Sequence, residues 1–404
     1  MAESSEFTFT PEFQFTAEQR HLREAVRKFC AENFDEQSVR RLMESQTRVD
    51  PAVWSRLGSE LGVLGLEVST DDGGPGGSLV DQAVAVEELG ACLACGPLFG
   101  TVYLAIPALA ACPSSEVRDS LLTSLLDGER TAAFVVVDRA GLFDADDVAV
   151  TAGAGRDCAL TGTTHRVVDA GAADYPLVAA RGPDGVRLYA VDAPAPGVER
   201  EPLATLDLTR PQAAVHFQDA GGRRIAGPDD TAGVIAHALR AGSALLAVEQ
   251  VGASQHLLGL AVEYAKTRMQ FGRHIGSFQA VKHRLADMLV DLEHARSTAY
   301  HAVWALAEES PESDLAVSIA QATCSAAFSR IAADTIQVHG GIGFTWEHQA
   351  HLYFKRAATD AVLLGSAEQH RCRVAELVLD TAPVARQPVP VADGKPSPDH
   401  SIHR

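Results

Sequence analysis

The stretch Gln337–Phe344 (QVHGGIGF), followed by a run ending in Leu363–Ser366 (LLGS), decides how this 404-residue chain is interpreted. Its Gly340–Gly341 pair predicts a helix end, because glycine adopts backbone conformations that a helix does not continue. Upstream, Tyr264–Gly272 (YAKTRMQFG) places basic and aromatic side chains after another long apolar pattern. Taken alone, these residues indicate a surface arginine beside a core phenylalanine and a helix end at the paired glycines.

The hydrophobic pattern divides the chain into three parts and predicts an α+β fold. Helical spacing dominates 15–127 and begins at a capping-box sequence, Thr16–Gln19. Short β-rich runs bounded by turn residues fill 128–230 and predict a sandwich or barrel. Long helices rich in Ala and Leu return over 231–382, which is typical of a four-helix bundle. The ends are expected to be a flexible arm, residues 1–14, and a disordered tail, residues 383–404.

Composition excludes several classes of function. A formal charge of −19 argues against nucleic acid as a partner, since phosphate binding needs clustered Lys and Arg. We find no run of roughly 18 uninterrupted apolar residues, so no membrane span is predicted. Seven scattered cysteines and an acidic N-terminus predict a cytoplasmic protein with reduced thiols. Cys92 and Cys95 form the one CxxC pattern, which we interpret as coincidental.

These stretches, in their order along the chain, resemble the acyl-CoA dehydrogenase family. Gly62–Leu66 and Glu87–Gly90 look like the family's N-terminal domain, and Leu160–Gly162 looks like its β domain. The resemblance implies an N-terminal helical domain, a central β domain and a C-terminal four-helix bundle. It also implies FAD as cofactor, an acyl-CoA thioester as substrate, α,β-desaturation as reaction and an electron-transferring flavoprotein as redox partner.

In the resembling family FAD lies across a subunit interface, and the residues expected around its adenine and pyrophosphate are present here. The planar guanidinium of Arg268 would make paired, charge-assisted bonds to the pyrophosphate. Phe271, three residues on, is expected to share its helical face and pack on the cofactor. Gln337 offers an amide, while Gly340 and Gly341 would let the backbone approach the ligand closely.

The residues expected around the flavin ring depart from the family pattern. Arg166 and Val168 stand where the family usually has a tryptophan and a threonine. The stretch Val135–Gly141 stands where the family has a strand containing Thr-Glu-Pro. Loss of an aromatic wall and a hydroxyl donor would weaken flavin placement in this chain. The alternative is ordinary divergence in which backbone amides do the same work.

The largest departure from the family pattern is the absence of the expected catalytic base. Desaturation needs a carboxylate that removes the α-proton while a hydride leaves the β-carbon. The resemblance places the base at Leu364 or, in some members, at Gly242, and neither side chain can accept a proton. Glu368, one helical turn past Leu364 in the pattern, is a weak substitute, so no catalytic residue is assigned. The glutamates assigned instead to solvated faces or helix caps are Glu249, Glu263 and Glu347.

Four histidines also cluster near the C-terminus, but their spacing predicts no metal site, since no cysteine or carboxylate accompanies them in a ligand pattern. We expect His348 and His351 at a surface or an interface. The remaining pair is His339 and His370.

One arrangement reconciles the intact and the missing parts. In the resembling family, some actinobacterial enzymes that act on sterol side chains pair a base-bearing subunit with one that completes its FAD site. Phe344–His348 and Leu206–Arg210 resemble that branch. The sequence therefore predicts the base-lacking subunit of an α2β2 assembly with a base-bearing paralogue. The alternatives are a self-sufficient homotetramer with a relocated base, a structural subunit that only binds CoA thioesters, and a flavin oxidase or monooxygenase on the same scaffold.

Overall fold

A computed structural model describes residues 14–136, 147–153 and 157–379. The predicted tail and all but the last residue of the predicted arm lie outside these residues. The N-terminal part is helical, as predicted, and its capping box is formed. The Thr16 hydroxyl accepts from the Gln19 amide at 3.2 Å, and the Gln19 side chain accepts from the Thr16 amide at 3.0 Å. The helices of this part are α1 (Ala17–Asn33), α2 (Glu36–Glu44), α3 (Pro51–Ser59), α4 (Leu79–Ala91), a π-helical segment (Leu98–Ala105), α5 (Ile106–Ala111) and α6 (Glu116–Leu126).

The central part is a mixed β-sheet that closes on itself as a small barrel. Its strands are β1 (Ala132–Val135), β2 (Thr151–Ala152), β3 (Asp157–Val168), β4 (Tyr175–Gly182), β5 (Gly185–Val191), β6 (Val198–Pro202) and β7 (Gln212–Ala226). The closed circuit runs β4–β5–β7–β3–β2 and back to β4. Outside it, β1 pairs with β4 and β6 pairs with β7. Along β4, Leu177 and Ala179 face the main core, and Val178 and Ala180 face the barrel interior. Both faces are buried, so the strand has a continuous apolar run.

The C-terminal part is a helical bundle, as predicted. Its elements are α7 (Pro228–Thr267), the strands β8 (Met269–Gln270) and β9 (Arg273–His274), then α8 (Gln279–Ala307), α9 (Ser313–His339), α10 (Gly341–Phe344), α11 (Ala350–Asp360) and α12 (Ala367–Leu379). Helices α7, α8 and α9 pack on one another, and α12 packs on α9. The break between α8 and α9 contains Pro311, and α9 ends at Gly340, whose φ is +65°.

Helices α7 and α9 are long and apolar enough to cross a membrane. In each, 67% of the most apolar window is buried inside the protein. Their hydropathy is explained by their place at the centre of the bundle, since a helix that is apolar all round is a core helix.

Two glycines fix the N-terminal helices against the bundle. A Cβ on Gly252 of α7 would lie 1.9 Å from the Glu87 carbonyl oxygen of α4. A Cβ on Gly90 of α4 would lie 2.5 Å from the Glu249 carbonyl oxygen of α7. The two helix backbones therefore touch at a distance that only glycine permits.

A buried carboxylate at the middle of α7 joins several parts of the fold. Glu249 is 2% exposed. Arg210 donates to both of its oxygens, at 2.7 and 2.6 Å, and Arg356 of α11 donates to one at 2.5 Å. Tyr103 of the π-helical segment donates its hydroxyl at 2.7 Å. The expectation that Glu249 lies on a solvated face or caps a helix is therefore wrong: two arginines compensate its charge inside the core.

Two aspartates extend this network, which we call the Glu249 network. Arg356 Nε donates to Asp207 at 2.8 Å, and Arg210 donates to Asp360 at 3.0 Å. Burial by itself would raise the pKa of Glu249, but the two arginines outweigh it and lower this pKa to about 2. Burial raises the pKa of Asp360 to about 7, and one oxygen of that carboxyl has no hydrogen-bond partner. The network thus links the β6–β7 connection, α7, α11 and the π-helical segment.

Replacing Glu249 with Gln should destabilise the protein strongly, because it removes the buried carboxylate to which both Arg210 and Arg356 donate. We expect the free energy of unfolding in urea to fall by about 3–5 kcal/mol. The matched control is Asp291→Asn, which breaks a bidentate pair with the exposed Arg330 and should cost less than about 1 kcal/mol. Equal losses in the two variants would contradict the central position of Glu249.

Candidate functional site

The hairpin after α7 displays two of the predicted FAD-binding residues. The helix ends at Thr267, and Arg268 is its C-cap. Strands β8 and β9 are joined by Phe271 and Gly272, with φ values of +55° and +74°, as in a two-residue type I′ turn. The expectation that Arg268 and Phe271 share a helical face is therefore wrong, because the helix stops before them. The turn instead holds Phe271 outward, with 90% of it exposed.

The other predicted FAD-binding residues lie at the end of α9. Gln337 is exposed in the last turn of that helix, and Gly340 and Gly341 follow. A Cβ on either glycine would meet no atom within 4 Å, so the backbone there is open to a ligand. The rings of Tyr264 and His339 stack at 4.4 Å, which brings the ends of α7 and α9 together.

This end of the bundle fits half of a FAD site. The guanidinium of Arg268 forms no hydrogen bond or ion pair with any residue that the structure describes, so it is free for a phosphate. Phe271 offers a flat ring and Gln337 an exposed amide. Around them Phe344 is 80% exposed and Trp346 58% exposed. The residues suit an adenine and a pyrophosphate, and they stand on an open surface.

The residues predicted at the flavin ring occupy different environments. Val168 is 6% exposed and belongs to the core. Arg166 is exposed in an irregular part of β3, where its φ is +56°. Val135 and Val136 are buried, and the rest of the predicted Val135–Gly141 stretch lies outside the described residues. Val168 therefore has no polar group to offer to a flavin, and its surroundings are apolar.

Leu364 lies in a turn between α11 and α12, not in a helix. Its φ is +54°, which is uncommon for a residue other than glycine. It lines a cleft of about 290 Å³ together with Arg240, Asp314 and His370. The Asp314 carboxylate is bound to Arg240 at 3.3 Å, and the His370 imidazole donates to the Leu364 carbonyl oxygen at 2.9 Å. Among the lining residues, the one carboxylate is thus committed to an ion pair.

Neither substitute position supplies a base to this cleft. A Cβ on Gly242 would lie 2.5 Å from the Leu104 side chain and 3.0 Å from the Tyr103 carbonyl oxygen, so no larger side chain fits there. Glu368 is exposed in the first turn of α12 and does not line the cleft. The expectation that one helical turn separates Glu368 from Leu364 is wrong, since the helix begins only at Ala367.

The histidines partly depart from expectation. His351 is 6% exposed, and neither ring nitrogen has a hydrogen-bond partner. Its ring meets Trp346 edge to face at 4.7 Å, and burial lowers its pKa to about 4. The prediction of a surface or interface position is therefore wrong for His351, which packs as a neutral aromatic ring. In the part of the chain that the structure describes, no group of three His, Cys, Asp or Glu side chains is arranged as a metal site.

Comparison with known proteins decides the family. Residues 16–129 match the model of the acyl-CoA dehydrogenase N-terminal domain, and residues 232–379 match that of the C-terminal domain. The acyl-CoA dehydrogenase IpdE2 of Mycobacterium tuberculosis is 36% identical over 358 residues, which cover 87% of this chain and 94% of that protein. The chain belongs to the acyl-CoA dehydrogenase family. It is therefore a member of a family of FAD-dependent oxidoreductases.

Two solved structures are similar over nearly the whole chain. One is the ChsE4–ChsE5 complex from Mycobacterium tuberculosis, with 30% identity, a TM-score of 0.83 and coverage of 92% of this chain and 100% of that one. The other is the Tcur3481–Tcur3483 steroid ACAD, with 29% identity, a TM-score of 0.80 and coverage of 90% and 98%. These similarities confirm the predicted α+β fold of this family.

A glutamate at position 242 should destabilise the fold. Gly242→Glu would force a charged side chain into the contact between α7 and the π-helical segment, and we expect a loss of at least about 3 kcal/mol in the free energy of unfolding. The control is Gly233→Glu on the same helix, where a Cβ meets nothing within 4 Å. If denaturant unfolding shows equal stability for both variants, the packing at 242 has room for a base after all.

Proposed function

We propose that this chain is a subunit of an FAD-dependent acyl-CoA dehydrogenase in which a base-bearing paralogue performs α,β-desaturation. In an α2β2 assembly, this chain would complete the partner's FAD site with Arg268, Phe271, Gln337, Gly340 and Gly341. Bound FAD would accept the hydride, and the carboxylate that removes the α-proton would come from the partner chain. An electron-transferring flavoprotein would reoxidise the flavin, in the cytoplasm.

The observation that carries the proposal is that the residues lining the cleft at Leu364 include no carboxylate outside an ion pair. A general base has to lie within hydrogen-bond reach of the proton it removes. Leu364 stands where the resemblance places the base, Asp314 is held by Arg240, and packing against Leu104 closes Gly242. The same chain presents an open, unpaired set of FAD-binding groups on its surface. A chain that offers cofactor contacts but no base is suited to completing the FAD site of another chain.

The relatives support both the assembly and the substrate class. The two similar structures are named as pairs of different proteins, ChsE4 with ChsE5 and Tcur3481 with Tcur3483. The second pair is named a steroid ACAD. We therefore propose a bulky acyl-CoA, such as a steroid side-chain thioester, as the substrate of the assembled enzyme.

Co-expression with a base-bearing paralogue tests the proposal. The two chains should purify together as a yellow complex that desaturates an acyl-CoA, whereas this chain alone should show no turnover with added FAD. In a matched control, replacing the partner's base with Gln should abolish turnover while FAD stays bound. Desaturation by this chain alone would overturn the proposal, and so would a chain that never forms a complex with the paralogue.

Arg268→Gln should weaken FAD binding in the complex without disturbing the fold. Loss of a charge-assisted bond to the pyrophosphate should raise the Kd for FAD at least about tenfold. The matched control is Lys266→Gln, two residues earlier, where the exposed ammonium pairs with Glu263 at 2.7 Å. Fluorescence titration of the apo-complex with FAD measures both values. An unchanged Kd in the Arg268 variant would remove this residue from the site.

A further inference from the structure

Another cavity lies between the N-terminal helical part and the bundle. Its volume is about 580 Å³, within the range of about 300–1,000 Å³ that is typical of small-molecule sites. Its polar lining includes Glu67, from the loop between α3 and α4, and His237 of α7. Its apolar lining comes from both parts of the fold and includes Leu79, Pro107, Ala110, Ala241 and Leu306. We call this space the Glu67 cavity.

The Glu67 cavity is separate from the cleft at Leu364. Arg240 lines both spaces. Its partner Asp314, at 3.3 Å, lines the Leu364 cleft, and the preceding Ser313 lines the Glu67 cavity. This ion pair therefore stands between the two spaces. Among the described residues that line the cavity, none belongs to the set that we assign to FAD.

The backbone that carries Glu67 is held in place by a buried amide. Gln82 is 1% exposed; its side-chain oxygen accepts from the Leu66 amide at 2.8 Å, and its side-chain nitrogen donates to the Val63 carbonyl oxygen at 2.9 Å. A Cβ on Gly77 would lie 2.8 Å from the Leu66 carbonyl oxygen. The loop is therefore packed tightly next to Glu67, and its position does not depend on the glutamate side chain.

The carboxyl of Glu67 has no partner that the fold supplies. Glu67 is half-buried, and its side chain forms no hydrogen bond or ion pair with any residue in the described ranges. Burial raises the pKa of Glu67 to about 7. A half-buried acid without a partner costs folding free energy, so its presence here is better explained by a ligand than by stability.

The other charged groups around the cavity leave no cation free for an anionic ligand. Arg240 is paired with Asp314, and Glu309, which follows α8, is exposed. Partial burial lowers the pKa of His237; Arg240 lowers it further and Glu309 opposes this. Below pH 7 the cavity thus offers a carboxylic acid that can donate a hydrogen bond and an imidazole that is largely uncharged.

We propose that the Glu67 cavity binds a neutral ring compound that carries a ketone or hydroxyl oxygen. Glu67 in its protonated form donates a hydrogen bond to that oxygen, and the apolar lining encloses the rings. A carboxylic acid that is kept neutral by an apolar site can act as such a donor. The site binds this ligand without reacting with it, and it goes beyond the role in desaturation proposed above.

Binding of the ketone 2-decalone to the full-length chain tests the inference. We expect saturable binding in ligand-observed NMR at pH 6, and Glu67→Leu should raise the Kd about tenfold, because the donor is lost. Glu67→Gln keeps a donor and should bind close to the native chain. The matched control is Glu309→Gln, which changes an exposed acid lining the same cavity and should leave the Kd unchanged.

The pH dependence of binding identifies the protonated acid. The native chain should lose affinity as the pH rises through about 7, since a carboxylate cannot donate, whereas Glu67→Gln should show a flat profile. The titratable and charged groups that face Glu67 are His237 and Arg240 of α7 and Glu309 after α8. On α4, Asp81 accepts from the Ser78 amide and hydroxyl at 2.8 Å.

Thermal unfolding separates a ligand-binding role from a structural one. Because its pKa is raised in the folded state, Glu67 lowers stability progressively as the pH rises from its ordinary value of 4.5 to about 7. Glu67→Gln should therefore have a higher Tm than the native chain at pH 8.5, and the difference should shrink at pH 5.5. A lower Tm for Glu67→Gln at both pH values would assign Glu67 to the fold and overturn the inference.

Charged analogues on the same two-ring frame complete the test. Decalin-2-carboxylate and 2-aminodecalin should both bind more weakly than 2-decalone. Tighter binding of either one, an equal Kd for 2-decalone in Glu67→Leu, or displacement of 2-decalone by coenzyme A from a site at Leu364 would overturn the inference. Because none of these measurements needs FAD, the paralogue or turnover, their outcome is independent of the proposed role in desaturation.

Discussion

The Glu249 network is the interaction on which the arrangement of the three parts depends. A carboxylate that is 2% exposed has to be compensated, and its partners come from the barrel connection and from α11. Removing one partner from a buried ionic group costs far more than breaking a surface pair. The loop holding Arg210 and the helix holding Arg356 are therefore fixed against α7.

This constraint reaches the candidate site through α11. Asp360, the last residue of that helix, is held by Arg210, and the turn carrying Leu364 begins directly after it. Tyr103, which donates to Glu249, belongs to the π-helical segment whose backbone closes on Gly242. Leu364 and Gly242, the two positions where we propose that a base is missing, are thus both linked to the same buried group.

Much of the fold could be predicted because its signals are local. The Thr16 capping box and the helix end at Gly340 depend on neighbouring residues, and both are formed as predicted. The predicted runs are short, whereas β7 is 15 residues long and continues through Gly221 and Gly222, which interrupt its apolar pattern. In place of the helical face predicted for Arg268 and Phe271, the chain forms a hairpin whose turn residues, Phe271 and Gly272, have positive φ.

The candidate site could be predicted from the sequence only where a residue type has a single plausible role. An exposed Arg268 beside Phe271 predicts the same contact with a phosphate-containing cofactor, whether the two residues stand on a helix or on a hairpin. The prediction of a solvated face for Glu249 is wrong because a buried acid cannot be distinguished from a surface acid in the sequence alone. The two arginines that compensate its charge, Arg210 and Arg356, are distant along the chain. The available signal lies in the stretch Leu206–Arg210, which alternates leucines with Asp207 and ends in Thr209 and Arg210.

The central claim is that this chain supplies cofactor contacts to a partner and has no working flavin site of its own. The most direct measurement is the FAD content of the purified heteromeric complex, from flavin absorbance and quantitative amino-acid analysis. The account predicts one FAD for each pair of unlike chains, with the base and flavin-ring contacts from the partner and Arg268 from this chain. One FAD for every chain, each reduced by acyl-CoA at the same rate, would contradict it.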